Sequence, residues 1–214
     1  MVDVGMAQAQ PIVLKGITWA AYEQLLRAYE QASAPRLTYD RGTLEIMSPL
    51  AIHERPNRLL QLLLPIIAEA TGSDLYSLGS TTFSREDLQR GFEADSCFYV
   101  QNEARVRGKA RIDLHVDPPP DLVFEVDITH STLDKLAIYA QIGVPEVWRY
   151  NGERFQVMIL TGDHYNEQSK SQAFPLASAA ALAWLFRDSI MLSNMAWIRR
   201  ARAWVRDLGP NATT

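Results

Sequence analysis

A short acidic segment constrains the fold of this chain more than any other feature. It follows three consecutive prolines and combines the apolar side chains of a buried strand with Asp121, Glu125 and Asp127. Successive side chains of a strand point to opposite faces, so these acids are predicted to share one face with Val123, while the other face is apolar. Burying unpaired carboxylates is costly, and a divalent cation or basic side chains should therefore lie opposite them. The pattern predicts a metal site.

Composition and charge favour a single mixed domain. The 214 residues are 47% hydrophobic, enough for a sizeable core, and the net charge of -4 confines any nucleic-acid contact to local patches. A single cysteine, Cys97, allows no intrachain disulfide and fits a reducing compartment. The start of the chain does not read as a secretory leader, and the longest apolar run, at 59–68, is too short to span a bilayer. We expect a cytoplasmic protein with no membrane contact.

Hydrophobic periodicity predicts helices interspersed with short strands. Residues 1–14 are predicted to be a flexible tail, 15–190 one domain, and 191–214 an amphipathic helix and tail. Helices are predicted at about 18–31, after the Ser48-Pro49 break, and at 132–142, 177–185 and 193–207. Strands are predicted as a hairpin at 36–39 and 43–47, then at 75–77, 81–84, 96–100, 111–116, the acidic segment, 146–150, 154–160 and 164–165.

Several motifs in a fixed order resemble the Uma-two family. They are the run from Leu37 to Pro49, His53-Glu54, Glu93-Ala94-Asp95, the run from Pro120 to Val126, and the run from Gly143 to Trp148. This family belongs to the PD-(D/E)xK nuclease superfamily. The resemblance implies a mixed α/β (α+β) fold whose restriction-endonuclease-like core is a central mixed β-sheet flanked by helices, with an N-terminal helix and hairpin and C-terminal helices. It also implies an endonuclease that hydrolyses DNA phosphodiester bonds through water activated by Mg²⁺ or Mn²⁺.

The motif residues of the family carry over one by one. Glu54 matches the first acid, Asp95 the acid of the PD motif, and Glu125 the acid of the (D/E)xK motif, so the resemblance implies that these three bind the metal. Asp127 stands where the motif requires lysine, and Lys135 in the next helix is the nearest replacement. The predicted catalytic set is therefore Glu54, Asp95, Glu125, Lys135 and Asp127.

The residues also admit structural interpretations. Lys135 opposes the helix dipole in a first turn, at a cost of roughly 0.3 to 1 kcal/mol, so it should either serve the acids or pair with Asp127. Asp95 could be an exposed acid at a strand entry after a turn at Gly91-Phe92, and Glu54 could stabilise a helix N-terminus. Glu125 could pair with an arginine, but its apolar strand makes that less expected. His53 is given a supporting role at most.

Two basic or amphipathic segments suggest partner contacts. Cations alternate around Gly108, so an extended hairpin could follow a DNA backbone with Arg105, Arg107, Lys109 and Arg111. The same row could simply protect a strand edge. Near the C-terminus, apolar residues recur at helical spacing and form a stripe of Trp197, Ala201, Trp204 and Leu208. This stripe predicts an amphipathic helix that packs on its own domain or on the second copy of a homodimer.

Other functions fit the same fold. The chain could be an inactive nucleic-acid-binding module, because the motif lysine is missing, or a protein-assembly module. Within enzymes, an exonuclease or another phosphodiesterase is the main alternative to an endonuclease. The presence of Glu54, Asp95, Glu125 and Lys135 together argues against the inactive module, and for an assembly module metal should change neither stability nor activity.

Overall fold

The structure is a computed structural model that describes residues 11–30, 32, 34–48, 51–127, 133–187, 189 and 191–208, except for the side chains of 51–53. Six helices occur in this part of the chain: α1 Trp19–Tyr29, α2 Ala51–Thr71, α3 Glu103–Val106, α4 Lys135–Ile142, α5 Ala179–Arg187 and α6 Asn194–Leu208. The strands described are β1 Ile12–Lys15, β2 Arg36–Asp40, β3 Thr43–Met47, β4 Tyr76–Gly79, β5 Thr82–Arg85, β6 Arg90–Glu93, β7 Ser96–Tyr99, β8 Leu122–Val126, β9 Glu146–Tyr150, β10 Phe155–Thr161 and β11 His164–Gln168.

The strands form two sheets. A five-stranded sheet has the order β1-β3-β2-β6-β5, and a six-stranded sheet has the order β11-β10-β9-β8-β7-β4. The larger sheet is mixed, because β8 and β9 run parallel through the α4 crossover while β7 and β8 are antiparallel. The predicted mixed α+β fold with a central mixed sheet and flanking helices is confirmed.

The acidic strand β8 separates two cores, as its alternation predicted. Leu122, Phe124 and Val126 pack with α2, α5 and α6, while Val123 packs with α4 on the opposite face. Asp121 lies just before the strand and does not contact Glu125 or Asp127. Its carboxylate accepts hydrogen bonds from the amides of Val100 and Asn102 and from the Asn102 side chain. It therefore fixes the turn after β7.

The smaller sheet packs against α1 through an aromatic cluster. Tyr22 of α1 stacks on Tyr39 of β2 with ring centroids 4.8 Å apart. A side chain at Gly91 of β6 would collide with the Tyr22 hydroxyl, so this position requires glycine. Arg36 and Thr38 alternate with the apolar residues of β2 and are also buried, which brings a charged group into the interior.

The C-terminal helix α6 packs on α2 in the large core. Its buried stripe is Trp197, Ala201 and Val205, at steps of four residues. The predicted stripe was wrong only at its end, because Trp204 is partly buried against the large core whereas Leu208 is 37% exposed. No helix in the described part of the chain has the length and apolar character needed to cross a bilayer.

Three local predictions were wrong. Residues 111–116 form turns, in which the amides of Val116 and Asp117 donate to the Asp113 carbonyl. The predicted tail contains strand β1, and the predicted turn at Gly91-Phe92 is part of strand β6. The remaining predicted helices and strands occur within a few residues of their expected bounds.

Candidate active site

Asp95 and Glu125 lie beside each other at the junction of β7 and β8. Ser96 pairs with Phe124, so Asp95 falls at the level of Glu125 just before β7 begins. Oδ2 of Asp95 accepts a hydrogen bond of 2.6 Å from the Val126 amide. Both acids are buried, with 4% of Asp95 and 7% of Glu125 exposed. The two strands thus hold two carboxylates side by side at the edge of the core.

Both carboxylate oxygens of Glu125 are bound by α4. Lys135 Nζ donates to Oε2 at 2.8 Å, and the Tyr139 hydroxyl donates to Oε1. Lys135 and Tyr139 are four residues apart and so share one face of the helix, which begins at the Asp134 cap. Burial and the charge on Glu125 raise the pKa of Tyr139, which keeps its hydroxyl protonated as a donor.

Lys135 therefore contacts the motif acid, although it lies ten positions after Glu125. The alternative that Lys135 pairs with Asp127 is wrong, since Asp127 pairs with Arg149 of β9. Arg149 is the strand partner of Glu125 in the parallel β8–β9 register, which brings Asp127 within its reach. Among the predicted catalytic residues, the structure thus brings Glu125 and Lys135 into contact and gives Asp127 a different partner.

Glu54 approaches Asp95 only through a cation. Arg36 of β2 contacts Oδ1 of Asp95 through Nη1, and its Nη2 lies 3.5 Å from Oε1 of Glu54. Glu54 is 40% exposed and also lies 3.7 Å from Arg58 Nε. Nothing in the sequence distinguished Arg36, because it belongs to a strand whose other residues fit a hairpin.

A buried polar network fixes the backbone at Asp95. The Asn57 side chain donates to the Asp95 carbonyl at 2.9 Å and accepts from the Ser96 hydroxyl at 2.6 Å. Gln61, one turn further along α2, donates to Ser96 at 3.0 Å. Asn57 and Gln61 were missed in the sequence, although their spacing of four residues places them on one helix face.

Two cavities adjoin the acids. One of about 180 Å³ is lined by Glu125, Lys135, Tyr139, Asp127 and Arg149 among others. The other, of about 470 Å³, is lined by residues that include Asp95, Arg36, Glu54, Arg58 and Gln61. Each acid therefore borders a different cavity, Glu125 the smaller one and Asp95 the larger one.

Two further acids surround this junction. Glu93, at the end of β6, has its pKa raised to about 7 by burial, while the charges of Arg36 and Lys135 act in the opposite direction. Glu45 is 1% exposed, and its Oε2 accepts a hydrogen bond of 3.3 Å from the Leu133 amide. Glu45 thereby ties the smaller sheet to the segment that precedes α4.

The donor chemistry of Asp95 and Glu125 fits a hard divalent ion. Mg²⁺ prefers oxygen ligands and is commonly held by one or two carboxylates together with water and phosphate oxygens. Within the described residues, no group of three or more His, Cys, Asp or Glu side chains is arranged to hold a metal. Two carboxylates are therefore the protein ligands that this junction offers, each already close to a cationic side chain.

The predicted basic hairpin does not form. Arg105 belongs to the short helix α3, and the positions that follow it form turns and irregular backbone. Arg107 pairs with Glu103 at 2.5 Å, Lys109 pairs with Asp117, and Arg111 pairs with Glu30 at 2.6 Å. The extended geometry was wrong because these cations are held by local carboxylates. Their contact with nucleic acid stays a prediction.

The comparisons with known proteins agree with this fold. A model of the Uma2 (Uma-two) family, described as "Putative restriction endonuclease", matches residues 19–187. The chain belongs to the Uma2 family. The resemblance inferred from the sequence motifs is thereby confirmed. The curated proteins contain no match to this Uma2 chain.

A solved structure is similar to this Uma2 chain along most of its length. It is the crystal structure of a protein from Anabaena variabilis described as a "putative nuclease belonging to DUF820". The TM-score is 0.51 with 12% sequence identity, covering 88% of this chain and 99% of the other. At this identity, the similarity shows a shared fold. The side chain of His53, which was expected to have a supporting role at most, lies outside the part of the Uma2 chain that the structure describes.

Proposed function

We propose that this chain is a metal-dependent nuclease of the endonuclease type that hydrolyses phosphodiester bonds of DNA. The observation that carries the proposal is the 2.8 Å contact between Lys135 Nζ and Glu125 Oε2, which supplies the acid and the lysine of the motif from two different elements. Asp95 lies beside them on the neighbouring strand. The family description as a restriction endonuclease supports the same reaction.

In this proposal, Asp95 and Glu125 hold Mg²⁺ or Mn²⁺. When bound, such an ion supplies Lewis acidity and lowers the pKa of a coordinated water. Glu54 is a weaker candidate for the same role, because two arginines lie next to its carboxylate.

The chain's own groups position the reaction. The Lys135 ammonium can orient the attacking water and stabilise the negative charge that develops on the phosphate. Tyr139 fixes the second oxygen of Glu125, so that the carboxylate cannot rotate freely. Asn57 fixes the backbone of Asp95 through its carbonyl. We assign Asp127 a supporting role, since its ion pair with Arg149 borders the cavity that contains Lys135.

Contact with the DNA backbone is assigned to the basic segment after α3. Arg105, Arg107, Lys109 and Arg111 would contribute salt-dependent binding to phosphates. Phosphate binding there requires exchange of some ion pairs. This exchange costs least at Arg111, because both it and its partner Glu30 are exposed, whereas Arg107 pairs with the buried Glu103.

One observation favours an inactive binding or assembly module as a second candidate function. Asp95 and Glu125 are each paired with a buried cation, Arg36 and Lys135 respectively, so their charges are compensated without a metal. A decayed nuclease could retain such pairs for stability alone.

Strand cleavage tests the proposal. Supercoiled and single-stranded DNA are incubated with the protein in Mg²⁺, Mn²⁺ or EDTA, beside Glu125→Gln and the control Glu167→Gln, which changes an exposed acid paired with Arg154. We expect metal-dependent strand breaks with the wild type and the control, and none with Glu125→Gln. No cleavage by the wild type with either metal, or equal cleavage by Glu125→Gln, would contradict the proposal.

A further inference from the structure

Arg36 is a buried cation in the candidate active site that the expected chemistry does not use. It is 6% exposed, and its guanidinium lies between the carboxylates of Asp95 and Glu54. Within the described part of the chain, its Nε and Nη1 make no hydrogen bond, although Nη1 is in ion-pair contact with Asp95 Oδ1. A buried guanidinium with an unsatisfied donor is costly, so this position is not explained by ideal hydrogen bonding. The positive charge of Arg36, by contrast, is balanced by the carboxylates of Asp95 and Glu54.

The two oxygens of Asp95 have different partners. Oδ2 accepts a hydrogen bond of 2.6 Å from the Val126 amide, and this bond links Asp95, just before β7, to the end of β8. Oδ1 contacts Arg36. Oδ1 is thus the oxygen of Asp95 that takes no part in the link between the strands, and a metal ion bound there would place a second positive charge beside Arg36. Arg36 and a metal ion are competitors for one atom.

We infer that Arg36 is a built-in counter-cation that competes with the divalent ion for Asp95 Oδ1 and thereby sets the metal affinity of the site. While Arg36 is in place, it also lies between Glu54 and Asp95, which disfavours Glu54 as a ligand of the same ion. The inference rests on the proposed metal-dependent function, but it concerns binding of the ion rather than cleavage.

Direct measurement of Mn²⁺ binding tests the inference. The dissociation constant is measured for the full chain by titration calorimetry, and by the electron paramagnetic resonance signal of free Mn²⁺. In Arg36→Met the charge is removed while a long apolar side chain remains. We expect Mn²⁺ to bind this variant about tenfold more tightly than the wild type, which corresponds to about 1.4 kcal/mol.

Arg90 provides a matched control. It is also a buried arginine of the smaller sheet, 8% exposed, and its Nε contacts Asp40 at 2.9 Å. Arg90→Met removes a comparable ion pair away from Asp95 and Glu125. Its Mn²⁺ dissociation constant should equal that of the wild type, whatever the loss in stability.

The possible outcomes separate this inference from the proposed function. Equal or weaker Mn²⁺ binding by Arg36→Met overturns the competition, even if the wild type cleaves DNA. Tighter binding without any cleavage supports the competition and contradicts the nuclease. If no protein binds Mn²⁺, both are overturned. Should Arg36→Met fail to fold, Arg36→Gln decides, because it also removes the charge while keeping a polar side chain at this position. Tighter binding supports the inference, and unchanged or weaker binding overturns it.

Discussion

At the scale of single residues, the site depends on how Glu125 is held. Lys135 binds one of its oxygens and Tyr139 the other, so this buried carboxylate is held in one orientation. The contact of Lys135 with Glu125 could be anticipated from the family motif, because the missing lysine had a nearby replacement. The roles of Arg36 and Tyr139 could not be predicted from the sequence, because nothing in the local pattern distinguishes an arginine of a strand or a tyrosine of a helix from its neighbours.

The first prediction concerns Tyr139. In Tyr139→Phe, one oxygen of the buried Glu125 loses its donor, which should cost about 1 to 3 kcal/mol of unfolding free energy and reduce the rate of DNA cleavage. The control Tyr165→Phe removes a similar hydrogen bond, from its hydroxyl to the Val144 carbonyl at 2.5 Å. Urea unfolding and cleavage assays should show a stability loss in both variants and a slower reaction in Tyr139→Phe alone. Equal cleavage rates would contradict the positioning role.

The second prediction concerns the pH dependence of stability. Burial raises the pKa of Glu93 to about 7 from 4.5, so the folded chain keeps a proton that the unfolded chain loses between these values. The stability that Glu93 contributes at low pH is therefore lost as the pH rises to about 7. The unfolding free energy of Glu93→Gln, minus that of the wild type, should increase across this interval.

Urea unfolding over a pH series measures this difference. Glu167→Gln is the control, because hydrogen bonds from Gln156 and Arg154 lower the pKa of Glu167. Its difference from the wild type should not rise over the same interval. A pH-independent difference for Glu93→Gln would show that Glu93 titrates alike in both states.

At the scale of secondary-structure elements, periodicity located most helices and strands but not all. Strand β6 was missed because its Gly91 suggested a turn, whereas this glycine makes room for the Tyr22 hydroxyl. The alternating cations at 105–111 suggested a strand, whereas they form ion pairs with Glu103, Asp117 and Glu30. In both places the pattern did not show a long-range contact, of Gly91 with Tyr22 and of Arg111 with Glu30.

A third prediction tests the packing of α6 on the large core. Trp197 is fully buried, packs edge-on against Phe186, and donates its Nε1 hydrogen to the Leu185 carbonyl at 2.9 Å. Trp197→Ala should lower the unfolding free energy by about 3 to 5 kcal/mol. Trp184→Ala, at a position 40% exposed with Arg200 over its ring, should cost about 1 kcal/mol or less. Similar losses in chemical denaturation would contradict the assignment of α6 to the core.

At the scale of the whole molecule, the net charge of -4 leaves DNA binding to local surfaces. The overall fold was predictable because the family motifs fix the order of its elements. The geometry of the proposed substrate surface was not, because its cations and the acids that hold them can be distant in sequence, as with Arg111 and Glu30.

The fourth prediction concerns this surface. Replacing Arg105, Arg107, Lys109 and Arg111 together by glutamine should weaken DNA binding, because fewer phosphates are neutralised. The salt dependence should also flatten, by roughly 0.9 in the log–log slope for each phosphate that the variant no longer neutralises. The control replaces three cations of α6, namely Arg199, Arg202 and Arg206. Fluorescence anisotropy with labelled DNA at several salt concentrations measures the affinity and its salt dependence for each variant. A slope that changes equally in both sets would place the binding surface elsewhere.

The most direct test of the account is the rate of metal-dependent cleavage by Lys135→Met under single-turnover conditions. Arg149→Met is the matched control, because it removes another cation that borders the same cavity. If Lys135 acts on the reacting phosphate through its place beside Glu125, its loss should lower the rate constant by about 10² to 10³, with a much smaller effect of Arg149→Met. A Lys135→Met protein that cleaves DNA at the wild-type rate would contradict the assignment of the acid and lysine pair as the catalytic centre.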